Sequence, residues 1–254
     1  SVVAFSPEAS IEAAGHPTNV HLAHARQVIS EIPPSLIDRV QEPFGARAVV
    51  YALFMDSDND EVRSRQLDFL GKETERGTAE ETEKATALLS DLTAEQKFSL
   101  VELASPALAH LSPGQSATFR GIIDHLAAAD EGLDLFEWSL RKVIDHDLGQ
   151  RFAPQQRRHG RATVRKLASE CHIILGALAH YGQGENNPAP SFEAGLSAFT
   201  HAKSISLPAP GDCGVAQLDQ ATSRLERLSP LAKQALLQAC ARTISHDHVT
   251  TEVE

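Results

Sequence analysis

The sequence predicts an all-α fold of about eleven helices. Three observations lead there. Apolar residues recur at i, i+3, i+4 and i+7 through much of the chain, the spacing of one buried helix face, while strand-like alternation is nearly absent. Ala and Leu abound, whereas Tyr, Trp and Met number only two, one and one, a balance that favours helix over strand. Helix-start signals also precede many of the apolar runs.

Taken in order, helices are expected near 18–31 and 35–41, then over 44–56. There Ala46, Val49, Val50, Leu53 and Phe54 form one apolar stripe. After one near 59–71, the next three cover 79–91, 94–110 and 114–129. They open on the capping-box signatures Thr78-x-x-Glu81, Thr93-x-x-Gln96 and Ser112-Pro113-x-Gln115. Pro106 is expected to end or kink the second of these, because it lacks an N–H and clashes with the preceding turn. Phe119, Ile122, Ile123 and Leu126 give the third its buried face, and Leu133, Phe136, Leu140 and Val143 do the same for a helix over 134–148. Val164, Leu167, Ala168, Cys171, Leu175 and Leu178 predict a long helix over 161–181, followed by one over 191–203. A closing pair covers 214–228 and 230–245, the second opened by Ser229-Pro230 and striped by Leu237, Cys240, Ala241 and Ile244. Breaks rich in Gly, Pro and Asn lie at 182–190 and 207–214. The expected domain boundary falls near Leu111, giving a short-helix region over 1–110 and a second helical domain over 111–254.

Charge and cysteine usage narrow the function classes. A net charge of −11 argues against a nucleic-acid or anionic-membrane surface, since phosphate binding needs clustered Lys and Arg. One basic stretch runs from Arg151 to Lys166 and reads as a solvated linker, with a lipid or phosphate contact as the alternative. Cys171, Cys213 and Cys240 are odd in number and widely spaced, so they form no disulfide framework. The longest apolar run, Ile173 to Ala179, falls far short of the roughly 20 residues that cross a bilayer. The first residues show no signal-peptide pattern.

Two acidic phrases stand out. Asp130-Glu131-Gly132-Leu133-Asp134-Leu135-Phe136-Glu137 and Asp247-His248-Val249-Thr250-Thr251-Glu252-Val253-Glu254 each follow an apolar helical run and set an Asp seven residues before a Glu. Asp134-x-x-Glu137 and Thr251-x-x-Glu254 have capping-box spacing, so each phrase reads as helix, acidic turn, helix. Because the second phrase stops where its helix should begin, the chain is expected to be a fragment, with an amphipathic helix following Glu254. Asp130, Glu131, Asp134 and Glu137 could set four carboxylates around one turn, the oxygen-rich surroundings that calcium, magnesium or manganese prefer. Asp247 and Glu254 mark the weaker second site, which His246 and His248 could turn toward a transition metal. The simpler account is helix capping by Asp134 and Glu137, with the remaining acids favouring the positive helix end. His21 with His24, and Asp145-His146-Asp147, read as structural. No nucleophile elbow, P-loop or dinucleotide fingerprint is present.

Three stretches, Glu42-Pro43-Phe44-Gly45-Ala46-Arg47-Ala48-Val49-Val50-Tyr51-Ala52-Leu53, Leu111-Ser112-Pro113-Gly114-Gln115 and Asp134-Leu135-Phe136-Glu137-Trp138, together resemble the C-terminal region of bacterial membrane-bound zinc metallopeptidases of the HtpX and CAAX-prenyl-protease type. The two acidic phrases look similar to the turns of TerB-like helical domains, which are implicated in metal binding. The usual Gly after the Asp is replaced here by Glu131 and His248. The metallopeptidase signature His-Glu-x-x-His is absent, as none of the twelve His is followed by Glu. The resemblance therefore implies that the zinc, the protease domain and its membrane helices belong to residues outside this chain.

The resulting expectation is a non-catalytic interaction or regulatory domain that docks a substrate, a protein partner or its own protease domain. Nucleic-acid binding and direct membrane insertion are not expected. The location implied is cytoplasmic, tethered to the inner membrane through the absent part. A divalent-metal-binding module or sensor is the alternative, with the acidic turns as its only cofactor site.

Overall fold

Side chains at helix starts explain much of the local structure. A computed structural model describes residues 18–129, 135–152, 160–182, 187–199 and 206–246. Among these residues the chain is all-α, with twelve α-helices, two short 3-10 helices and a single parallel bridge between Ala162 and Leu228. In chain order the helices are α1 (Asn19–Glu31), α2 (Pro34–Val40), α3 (Pro43–Ala52), α4 (Asp60–Glu73), α5 (Thr78–Leu89), α6 (Ala94–Leu108), α7 (Pro113–Ala127) and α8 (Leu135–Phe152). They continue with α9 (Ala168–Gly182), α10 (Ala189–Leu196), α11 (Val215–Leu225) and α12 (Pro230–Ile244).

Two expected capping boxes form in full. Thr93 Oγ1 accepts from the Gln96 N–H while the Gln96 side chain accepts from the Thr93 N–H, and Ser112 and Gln115 repeat the exchange. Ser229 Oγ accepts from the Ala232 N–H at 3.3 Å. The expected Thr78 box does not form. Gly77, at φ 93°, is the residue that caps α5, and Thr78 is already helical and buried. Its partner Glu81 is drawn away by Arg39, whose guanidinium holds the carboxyl below its usual range. Pro106 lies in the last turn of α6, which ends two residues later at Leu108.

The chain falls into two compact units, one over His21–Gln155 and the other over Gln156–Glu254 with Ser1–Val20. The boundary expected near Leu111 is not where it divides. Leu111 is 5 % exposed and belongs to a core that runs from Ile32 to Ile144. In the first unit α3 is the hub, packed by α2, α5, α6 and α7. Its apolar stripe is buried as expected, and so are Ala48, Tyr51 and Ala52 on its other sides. A helix whose residues from Ala48 to Ala52 are all buried marks the centre of a core. Tyr51 meets Phe119 of α7 with ring centroids 5.3 Å apart.

In the second unit α9 is the hub, packed by α10, α11 and α12 through Cys171, Leu175 and Ala179. The helix expected from residue 161 begins only at Ala168. Ala162 instead donates its N–H to the Arg227 carbonyl at 3.0 Å and accepts from the Ser229 N–H at 2.9 Å, and a 3-10 turn (Val164–Leu167) follows. This pairing with the α11–α12 turn holds the segment extended. On α12, Ala241 is buried and Cys240 and Ile244 are half-buried, whereas Leu237 is exposed.

Phe119→Ala should cost about 4 kcal/mol of unfolding free energy, in the range for truncating a buried aromatic. Leu231→Ala, at a side chain 80 % exposed, should change stability by less than about 0.5 kcal/mol. Urea denaturation compares the two, and equal costs would contradict the burial pattern.

Candidate functional site

The candidate site is the end of the first unit where α3 and α7 stop. Each helix leads into an acidic stretch, Asp56–Glu61 after α3 and Asp130–Glu137 after α7. The first was not singled out from the sequence, although Leu53-Phe54-Met55 followed by Asp56-Ser57-Asp58-Asn59-Asp60-Glu61 carries the same apolar-then-acidic signal.

That loop is built from its own side chains. Asp56 Oδ1 accepts from the N–H groups of Asp58 and Asn59, both at 2.8 Å. Asn59 caps α4 by accepting from the Glu61 and Val62 N–H groups. Arg63 reaches back to donate to the carbonyls of Asp56 and Ser57 at 3.0 and 3.1 Å and pairs with Asp60. Asp58, Asp60 and Glu61 remain exposed.

Beneath the loop sits Gln66, 3 % exposed and aligned with Val62 and Leu70 on the buried stripe of α4. Its Nε2 donates to the Phe54 carbonyl at 2.9 Å and to the Leu126 carbonyl at 3.0 Å, and its Oε1 accepts from the Asp56 N–H at 2.9 Å. Phe54 follows the end of α3 and Leu126 lies in the last turn of α7. Carbonyls at helix ends lack intrahelical partners. The Leu126 carbonyl also accepts from the Ala129 N–H at 3.2 Å, and the one amide links the end of α3 to the last turn of α7. A polar residue spaced by four from Val62 and from Leu70 was the sequence signal for this clamp.

Of the sequence-predicted metal residues, Asp130, Glu131, Asp134, Asp247 and Glu254 lie outside the described residues, and so does His248. Glu137 is half-buried in the first turn of α8, where a negative charge suits the positive helix end. Next to it Phe136 meets Phe98 edge-on at 5.3 Å. Among the described residues no three His, Cys, Asp or Glu side chains converge to hold a metal ion. His24 hydrogen-bonds Glu95 at 2.8 Å, and Asp145 pairs with Arg120 across α7 and α8.

The second unit holds three cysteines, Cys171 and Cys213 buried and Cys240 half-buried. Burial pushes the Cys171 and Cys240 thiols up to about 12 and that of Cys213 up to about 11. They stay protonated near neutral pH and are poor nucleophiles there. Glu170 is held below the usual carboxylate range by Arg224, 2.8 Å away, and burial lowers the pKa of His172.

Comparison with protein-family models, with curated proteins and with solved structures gives no match. The chemistry of the site therefore rests on its own residues. It presents outward carboxylates on a rigid base.

Gln66→Leu would keep the volume but take a buried partner from the Phe54 carbonyl and the Asp56 N–H, while the Leu126 carbonyl would keep only its backbone bond from the Ala129 N–H. It should cost about 3 kcal/mol, since burying unsatisfied polar groups is expensive. Equilibrium urea unfolding measures this, and a variant as stable as the native chain would remove Gln66 from its central place.

Proposed function

We propose that this chain is a non-catalytic interaction or regulatory domain of a membrane zinc metallopeptidase, docking a substrate, a partner or the protease domain itself. The observation that carries the reading is the partition of charge over the two units. Residues 21–155 hold 23 Asp and Glu against 13 Lys and Arg, whereas residues 156–254 hold nine against ten. The first unit thus has a strongly acidic surface over a core clamped by Gln66, an arrangement suited to steering and orienting a basic partner. The resemblance of Glu42–Leu53, Leu111–Gln115 and Asp134–Trp138 to metallopeptidase tails supports the parentage.

A TerB-like divalent-metal sensor is the second reading. It is favoured by one observation, that Gln66 ties together the helix ends from which both acidic stretches of the first unit depart.

The test of the first reading compares casein turnover by the complete metallopeptidase with turnover by the same protein lacking these residues. Regulation or docking predicts a changed rate, abolished in both by a zinc chelator. An unchanged rate, or turnover by this chain alone, contradicts it. Calorimetric titration with calcium, magnesium and manganese separates the second reading. Asp134→Ala should cost about 1 kcal/mol, as for a lost helix cap, equally with and without metal. A metal-induced rise in melting temperature that vanishes in this variant would favour the sensor.

A further inference from the structure

The second unit carries a cationic edge that the acidic surface of the first does not explain. Sequence places no Asp or Glu between Asp147 and Glu170, a stretch that includes Arg161, Arg165 and Lys166. The parallel bridge then sets Arg161 beside Arg227, because Ala162 faces Leu228 and the residues before each become neighbours. Adjacent strands lie about 4.8 Å apart. Alternation along the bridge turns Leu228 into the core and leaves both arginines exposed. Like charges opposite one another on a strand pair are destabilising, so the two arginine side chains add nothing to a pairing that the backbone hydrogen bonds of Ala162 and the burial of Leu228 hold.

Gly160 makes the pairing possible. A Cβ at this position would collide with the Arg227 carbonyl and lie 2.5 Å from the Leu228 oxygen. The 3-10 turn bearing Arg165 and Lys166 packs against α12, whose first turn holds Leu231 and Lys233. Arg161, Arg165, Lys166, Arg227 and Lys233 are all exposed, and among the described residues none has a side-chain ion pair or hydrogen bond. Arg224, nearby on α11, is engaged by Glu170, and Glu226 is the acid of the α11–α12 turn.

Two features point to the kind of ligand. Arg165 and Lys166 lie in the 3-10 turn that leads into α9, and Lys233 lies in the first turn of α12, so all three sit near positive helix ends that favour anions over cations. Amid these cations Leu231 is 80 % exposed, the most exposed large apolar side chain described. A soluble phosphate or a nucleic-acid backbone offers such a side chain no apolar contact. A bilayer interface offers both headgroup charge and acyl boundary.

We propose that the edge formed by Arg161, Arg165, Lys166, Arg227, Leu231 and Lys233 docks on an anionic lipid surface, with the cations against headgroup phosphates and Leu231 at the interface. The proposal is independent of the role given to the first unit, and it needs no segment that crosses the membrane. Among the described residues no helix is long and apolar enough to cross one.

Flotation of the full 254-residue chain with vesicles tests it. Vesicles of phosphatidylcholine alone should not bind, and those containing phosphatidylglycerol should bind in a salt-sensitive manner. Arg161→Glu combined with Arg227→Glu should weaken binding by roughly ten-fold or more, given the contribution of each cation near the surface. Leu231→Ser should weaken vesicle binding, and Arg65→Glu in the first unit should leave it unchanged. Circular dichroism melting verifies that each variant is folded. Gly160→Ala provides a further check, weakening binding by displacing Arg161 without removing a charge. Failure to bind phosphatidylglycerol vesicles, or binding indifferent to the double charge reversal, would overturn the proposal. Competition by inorganic polyphosphate or an RNA oligonucleotide, with Leu231→Ser without effect, would overturn it in favour of a soluble polyanion.

Discussion

The first unit depends on one buried amide. Gln66 contributes two donated hydrogen bonds and one accepted bond in a place where water does not reach, joining the ends of α3 and α7 to the middle of α4. Removing such a group leaves the buried Phe54 carbonyl and the Asp56 N–H without the partner it supplies, which costs more than the hydrogen bonds contribute net. Once Gln66 is placed, the positions from which the two acidic stretches depart are fixed. Asp56 and Asn59 then fold the first of these stretches on its own N–H groups.

Around that clamp the packing is ordinary helical burial. α3 is buried from Gly45 to Ala52 except at Arg47 and draws α2, α5, α6 and α7 onto it, while α9 gathers its three partners in the second unit. Each unit has its own apolar core. The ionic contacts on the surface, such as Arg141 with Asp124 at 3.0 Å, add little individually because water screens them. We read the acidic surface of the first unit and the cationic edge of the second as surfaces for partners.

How much was legible in the sequence follows from the range of each interaction. The caps at Thr93, Ser112 and Ser229 were legible because side chain and target N–H lie within one turn. The Thr78 cap failed because Glu81 answers to Arg39 on another helix, a contact that no local spacing reveals. The start of α9 was misplaced for the same reason. Ala162 satisfies its backbone N–H and carbonyl against Arg227 and Ser229, so tertiary pairing overrides helical periodicity. The division near Leu111 misread a change in helix length as a domain edge, where the core runs on through Phe119 to Ile144. Of the candidate site, the acidic phrase at Asp130–Glu137 was visible as a sequence pattern, but the Gln66 clamp beneath the Asp56–Glu61 loop was not. A lone Gln in an apolar row shows its meaning only when its three partners, from Phe54 to Leu126, come together.

Hydrogen–deuterium exchange on the native chain and on Gln66→Leu tests the central claim most directly. If one amide holds both helix ends, the amides of Asp56, Asp58 and Asn59 and that of Ala129 should lose protection together. The amides of α9 and α12 in the second unit should not change. Faster exchange confined to the Asp56 loop, or no change at either helix end, would contradict the account.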